Sequence, residues 1–210
     1  IVHVRTKKGK GYSFAEHSPE VFHGVSSFDV NTGESISNPS DSFSSSFGEL
    51  LCHKVAQNQN LYVITAAMCE GCGLDGVASQ YPKRLFDVGI AEGHAVTFAA
   101  GLSKNGILPV FCVYSSFLQR GFDQIIHDIA LQKAHVIFAV DRCGIVGADG
   151  ETHQGLFDVP FMLTVPNLTV FSPATYKEMN LQFDALCEDP ERAGVIRYPR
   201  GKEVSVSLPF

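Results

Sequence analysis

The sequence predicts an α/β fold, a mostly parallel sheet with helices on both faces. Three observations carry that expectation. The segments LYVITAAM, ILPVFCVYSS and HVIFAVDR are near-continuous apolar runs rich in β-branched residues, the pattern of strands buried on both sides. Between them lie stretches whose apolar residues recur at helical spacing. The alternation repeats along most of the chain, as a crossover-connected parallel sheet requires. With 210 residues, 45% of them apolar, there is material for a substantial core.

Each element has its own justification. IVHVRT (1–6) alternates and is β-branched, so a strand is expected. TKKGKGY is a basic, glycine-rich loop, able to lie over a phosphate through backbone N–H groups or simply to be a solvated turn. Residues 13–46 are rich in Ser, Pro, Asn, Asp and Gly and read as a linker, long for a compact domain. His23 stands out there, although linker histidines are ordinarily surface residues. FSSSFGELLCHKVAQN (43–58) reads as a helix with Phe47, Leu50, Leu51 and Val55 on one face, behind serine caps. A strand follows at 61–68 and a short helix at 77–81.

LFDVGI (85–90) is a strand that runs into a helix from Ala91, with Ala91, Ala95, Phe98, Ala99 and Leu102 on its buried face. Glu92 falls beside that face. The plain reading is a first-turn acid favoured by the helix dipole; the other is a carboxylate in apolar surroundings, suited to sharing a proton with a nitrogen base. Next come a strand at 107–116, a helix at 117–133 with Phe122, Ile125, Ile126 and Ile129 inward, and a strand at 135–142. The loop CGIVGADGETHQG leads to a short helix (156–165), a strand (168–174), a helix (175–189) and a last strand (194–201).

Composition excludes several classes. The net charge is −6 and the only basic cluster is TKKGK, which argues against a nucleic-acid partner. No apolar run reaches the roughly 18 residues of a membrane span. The six cysteines are scattered, pointing to a reducing, cytoplasmic compartment and free thiols. GCGLDG matches a dinucleotide fingerprint, but the next strand comes too soon for a full crossover helix. Cys69 and Cys72 form one C-x-x-C with no second pair or nearby histidines, a weak zinc signal. No His or carboxylate cluster has metal-ligand spacing, so no metal ligand is expected. IVHVRT opens without a methionine and VSVSLPF ends abruptly, so the chain reads as a segment of a longer one.

Ligands of open parallel sheets sit beyond the carboxyl ends of the strands. Glu92, Tyr114, Phe117, Arg142, the Asp149–His153 loop and Arg200 all fall at or just past such an end. Tyr114 and Phe117 offer ring faces to a planar heterocycle. Arg120 and Arg142 are forks for a phosphate or carboxylate, or else surface ion pairs. Their convergence on one edge is the stronger sign.

The motifs IAEGHAVTFAAGL, VYSSFLQRGFDQIIHDIALQK, AVDRCGIVGADGETHQGLFD and RYPRG resemble those of the 1-deoxy-D-xylulose-5-phosphate synthase family, thiamine diphosphate enzymes of the transketolase superfamily. HVRTKKGKGY and FHGV resemble the tail of that family's first domain. The resemblance spans His3 to Gly201. It implies a thiamine diphosphate-binding fold, with residues 1–39 as tail of the diphosphate-binding domain and linker, 40–200 as the pyrimidine-binding domain, and 201–210 as the start of a linker. The implied reaction is decarboxylation of pyruvate and transfer of its two-carbon unit to D-glyceraldehyde 3-phosphate, giving 1-deoxy-D-xylulose 5-phosphate and CO2, an isoprenoid, thiamine and pyridoxal precursor.

Residue by residue, the resemblance makes Glu92 the glutamate that hydrogen-bonds N1′ of the cofactor aminopyrimidine, Phe117 the ring stacked on it, and Tyr12 and Tyr114 cofactor contacts. Tyr114, Arg120, Arg142, Asp149 and Arg200 surround the phosphorylated acceptor. His153 and His23 are active-site histidines. Mg2+ is expected with its ligands, and the Gly-Asp-Gly segment that holds them, outside these residues. A homodimer is implied, and the chain alone is expected to be inactive. Gly93 stands where the family usually has Gln, and Cys69 and Cys72 where it commonly has Arg and Ser. Two readings remain beside this one: the pyrimidine domain of a split transketolase, and a non-catalytic thiamine-binding or interaction domain.

Overall fold

The computed structural model describes residues 1–19, 21–25, 27–36 and 41–204, and only the backbone of Ala148. The chain forms two compact units, Ile1–Ser40 and Asp41–Phe210. The expected boundary at 39/40, and most of the expected linker 201–210, lie outside the described residues.

In the first unit one short helix, α1 (Ser13–His17), interrupts the predicted linker. Its aromatics cluster: Tyr12 lies 5.4 Å from Phe14 and 5.5 Å from Phe22, and Phe22 lies 5.3 Å from Phe28, between ring centroids. Such contacts order a segment that lacks periodicity. The predicted strand IVHVRT is absent; residues 1–6 are exposed and irregular. Alternation and β-branching suit a strand, but a strand persists only with a neighbour to complete its hydrogen-bond ladder.

The second unit contains β1 (Leu61–Thr65), β2 (Leu85–Asp87), β3 (Leu108–Tyr114), β4 (Ile137–Asp141), β5 (Leu168–Phe171) and β6 (Ala193–Arg197). They form a six-stranded sheet in the order β2-β1-β3-β4-β6-β5, with every neighbouring pair parallel. β3 is buried from Leu108 to Val113 and β4 throughout, as their unbroken apolar sequences predict. The chain leaves β1 toward β2 on one side and resumes with β3 on the other. The carboxyl ends of β1 and β3 therefore flank a topological switch point.

Helix α2 (Phe43–Gln57) begins with a capping box between Ser42 and Ser45. Its inward Phe47, Leu51 and Val55 are fully buried, each contributing roughly 1.5–3 kcal/mol. Phe47 meets Phe183 of α8 (Tyr176–Cys187) edge-on at 5.3 Å and Tyr198 at 5.2 Å. Helix α4 (Glu92–Ser103) packs on β3 and β1 through Ala95, Val96 and Ala99, side chains small enough to seat it close to the sheet.

The helix predicted over 117–133 is broken into α5 (Ser115–Leu118), a 3-10 turn (Gln119–Gly121), α6 (Phe122–Gln124) and a π-helical turn (Ile125–Ala130). A Cβ at Gly121 would stand 2.8 Å from Val96 Cγ2, so the glycine marks a close crossing over α4. Beyond that crossing, the π-helical turn keeps Ile125 and Ile129 fully buried.

Candidate active site

Glu92 is the first residue of α4, where the short strand β2 hands the chain to the helix. It is 3% exposed and makes no hydrogen bond among the described residues. Its nearest charged partner is Arg120, with Nη1 3.7 Å from Oε2, too far for a hydrogen bond. A buried carboxylate in that state is poised for a donor.

Across the switch point, Tyr114 ends β3 and Phe117 follows one turn later in α5, so their rings stack at 5.7 Å. His153 meets the Phe117 ring edge-on at 5.3 Å, and its Nδ1 lies 2.8 Å from Thr152 Oγ1. The Arg142 guanidinium sits 3.9 Å over the Tyr114 ring and donates to Asp149 Oδ2 at 2.6 Å. Arg200, beyond β6, donates to the other oxygen, Oδ1. One carboxylate is thus shared by two guanidinium groups. Burial pushes the Tyr114 hydroxyl well above its ordinary pKa, so it stays a neutral donor.

The Asp149 loop is closed at its base. Gly144 and Gly155 exchange backbone hydrogen bonds of 2.7 and 2.8 Å. A Cβ at Gly155 would come within 2.3 Å of the Arg142 carbonyl oxygen, so only glycine admits this closure. Inside the loop the Gln154 side chain accepts from Val146 N and donates to the carbonyls of Val146 and Gly150.

Arg142 has φ 57, the left-handed region that costs a non-glycine residue roughly 1–2 kcal/mol. Its N–H donates to Asp141 Oδ1 at 2.6 Å. Asp141 is fully buried, and desolvation pushes its carboxyl up to about 7. Asp141 is a residue that the reading of the sequence passed over. The signal was available: an acid closing a run of fully apolar strand residues, just before a candidate arginine. Ser115 and Tyr198 were passed over as well; their buried hydroxyls, like Asp141 Oδ2 and Arg142 Nε, have no hydrogen-bond partner among the described residues.

GCGLDG and the C-x-x-C have packing explanations. A Cβ at Gly71 would stand 1.6 Å from the Tyr114 hydroxyl, so that glycine makes room for the ring; a Cβ at Gly48 in α2 would fall 2.0 Å from the Gly73 carbonyl oxygen. Cys69 and Cys72 are free thiols; burial pushes Cys69 up to about 11 and Cys72 higher still, which makes them poor nucleophiles. At Gly93 a Cβ would meet the Gln124 amide at 3.2 Å.

Tyr12 and His23 belong to the first unit. The Tyr12 hydroxyl donates to the Val30 carbonyl at 2.9 Å, and Lys8 Nζ approaches His23 Nδ1 at 2.9 Å. Among the described residues no group of three or more His, Cys, Asp or Glu side chains is arranged to hold a metal, and no helix is long and apolar enough to cross a membrane.

Residues 42–203 match the family described as transketolase, pyrimidine binding domain. The chain is 48% identical to the 1-deoxy-D-xylulose-5-phosphate synthase of Clostridium acetobutylicum over 96% of its own length and 32% of that protein. It is 50% identical to the synthase of the same name from Caldanaerobacter subterraneus subsp. tengcongensis, with the same coverage, 96% and 32%. The chain therefore spans about a third of the curated relatives it matches. Among solved structures, it is similar to a split-gene transketolase described as an inactive β4 tetramer, with TM-score 0.69 and 27% identity over 81% of this chain and 55% of that one. It shares its fold with the Campylobacter jejuni transketolase, with TM-score 0.71 and 18% identity over 79% and 27% of the two chains.

Proposed function

This chain belongs to the transketolase pyrimidine-binding domain family, and from that premise we propose that it is the pyrimidine-binding part of a 1-deoxy-D-xylulose-5-phosphate synthase. In this reading residues 40–200 are that domain, 1–39 the tail of a diphosphate-binding domain, and 201–210 the start of a linker. The enzyme acts in the cytoplasm as a homodimer. Thiamine diphosphate, with Mg2+ held by residues beyond this chain, supplies the nucleophilic carbon and the electron sink for decarboxylating pyruvate.

The observation that carries the reading is Glu92, buried at the start of α4 with a carboxylate that makes no hydrogen bond among the described residues. It is suited to hold a proton at N1′ of the aminopyrimidine. Phe117 offers the ring face beside it, and Tyr12 and Tyr114 add cofactor contacts. Arg120, Arg142 and Arg200 bind the phosphate of D-glyceraldehyde 3-phosphate, with Asp149 and Tyr114 positioning the arginines and the acceptor. His153 and His23 hydrogen-bond the reacting oxygens.

The test is turnover in the full-length enzyme that carries this segment. Glu92→Gln should lower kcat by about 10²–10⁴-fold, the usual contribution of a positioned acid–base group. Unchanged turnover would overturn the assignment and favour a binding domain. Turnover of a ketose donor in place of pyruvate would identify a transketolase instead.

A further inference from the structure

Among the described residues Asp141 is a fully buried acid at the carboxyl edge that the proposed chemistry leaves without a task and that, unlike Asp158, has no guanidinium closed on it. It ends β4 opposite Tyr114 in register. Oδ1 accepts from the left-handed Arg142 N–H, while Oδ2 has no hydrogen-bond partner among the described residues. The groups around it come from every neighbouring element. Ser44 of α2 faces the carboxyl without closing a hydrogen bond to Oδ2. Cys72 lies on the loop after β1, Cys112 and Tyr114 on β3, Tyr198 and Arg200 beyond β6, and Arg142 and Cys143 on the following turn. All but the two arginines are neutral, and both arginines also hold Asp149.

The sum of charge over Arg142, Arg200, Asp149 and Asp141 is zero when Asp141 is ionised and +1 when it is protonated. A solvent proton on Asp141 therefore converts a balanced cluster into an anion receptor, without touching the Oδ1 contact that shapes the Arg142 turn. We propose that Asp141 is a positioning residue for the acceptor end of the site: it fixes the left-handed turn that lays Arg142 over Tyr114, and it takes up a proton as an anionic substrate settles between Arg142 and Arg200. Linkage makes the effect reciprocal: the proton tightens the anion, and the anion raises the proton affinity. The carboxyl's upward displacement to about 7 puts this exchange within the working range. The inference rests on the phosphate-binding role given above to the two arginines.

Asp141→Asn keeps the oxygen that accepts from Arg142 and removes the charge. In the full-length enzyme its KM for D-glyceraldehyde 3-phosphate at pH 8 should be roughly fivefold below wild type, converging with it near pH 6. KM for unphosphorylated glyceraldehyde should not change. Asp141→Ala, which loses the anchor as well, should raise KM for the phosphorylated acceptor at every pH. Equal pH profiles for wild type and Asp141→Asn, or equal shifts with both acceptors, would overturn the proposal. Wild type that fails to use the phosphorylated acceptor would instead defeat the functional reading. The linkage is also read without turnover. In the full-length enzyme, before any donor is added, the Asp141 carboxyl carbon signal, assigned by its loss in Asp141→Asn, should titrate about half a pH unit higher or more with saturating glycerol 3-phosphate. An unmoved midpoint refutes it.

Discussion

Two arginine–aspartate clusters lie at the carboxyl edge of this sheet, and they are built to opposite ends. Arg197, the last residue of β6, grips Asp158 of α7 (Asp158–Met162) with Nε at 2.7 Å and Nη2 at 3.3 Å, and gives Nη1 to Ser172 at 3.1 Å. Both carboxylate oxygens and all three guanidinium nitrogens are used, and Asp158 is 2% exposed. The second cluster divides Asp149 between Arg142 and Arg200, leaves Arg142 Nε unpartnered, and rests on a left-handed backbone. The first closes on itself and ties α7 to the sheet. The second leaves hydrogen-bonding atoms unclaimed among the described residues. Identical residue types thus make a closed pair in one place and, under the proposed function, a receptive one in the other, and the difference lies in how many partners remain unclaimed.

The largest effect should come from breaking the closed pair. Asp158→Ala strands a mostly buried guanidinium and should cost about 3 kcal/mol or more of stability by urea denaturation, while the activity of the molecules that stay folded is unchanged. A loss below about 1 kcal/mol would mean that the two clusters are not energetically distinct.

Next comes Asp141, beneath the open cluster. Its folded pKa, about 7, lies above its unfolded value of 3.8. The folded chain therefore binds this proton more tightly. The stabilisation is complete below about pH 4 and is lost as pH rises through about 7, amounting to at most about 4 kcal/mol. Asp141→Asn should flatten this part of the stability–pH curve and raise stability at pH 8, as denaturation across pH 4–8 would reveal. The smallest structural effect is expected from Arg200→Met, which should change stability by no more than about 0.5 kcal/mol yet weaken the phosphorylated acceptor about tenfold or more in KM. A large fall in stability instead would place this arginine with the closed pair.

The sheet was legible because β1, β3 and β4 are apolar without interruption, and burial on both faces imposes that composition. IVHVRT carried as clear a strand pattern and failed, since alternation records a preference and says nothing of a partner to pair with. The broken helix after β3 escaped for a related reason. The position of Gly121 against Val96 is a contact between helices, while periodicity reports only along one. Among the candidate site residues, Tyr114, Phe117, Arg142, Asp149, His153 and Arg200 were singled out by motif and by their place after strands, and in the structure they form one connected group. Asp141 was not, because what distinguishes it is a φ of 57 at its neighbour and its complete burial, neither of which is written in residue order.

The mutual hydrogen bonds of Gly144 and Gly155 make residues 145–154 a cassette hung from a two-glycine clasp. Because the clasp and Gln154 hold the insert's shape from within, the exposed side chains of Ile145, Glu151 and Thr152 can be exchanged without disturbing that frame. Under the proposed function, a library confined to those three positions is the place to re-engineer selectivity while leaving the sheet alone.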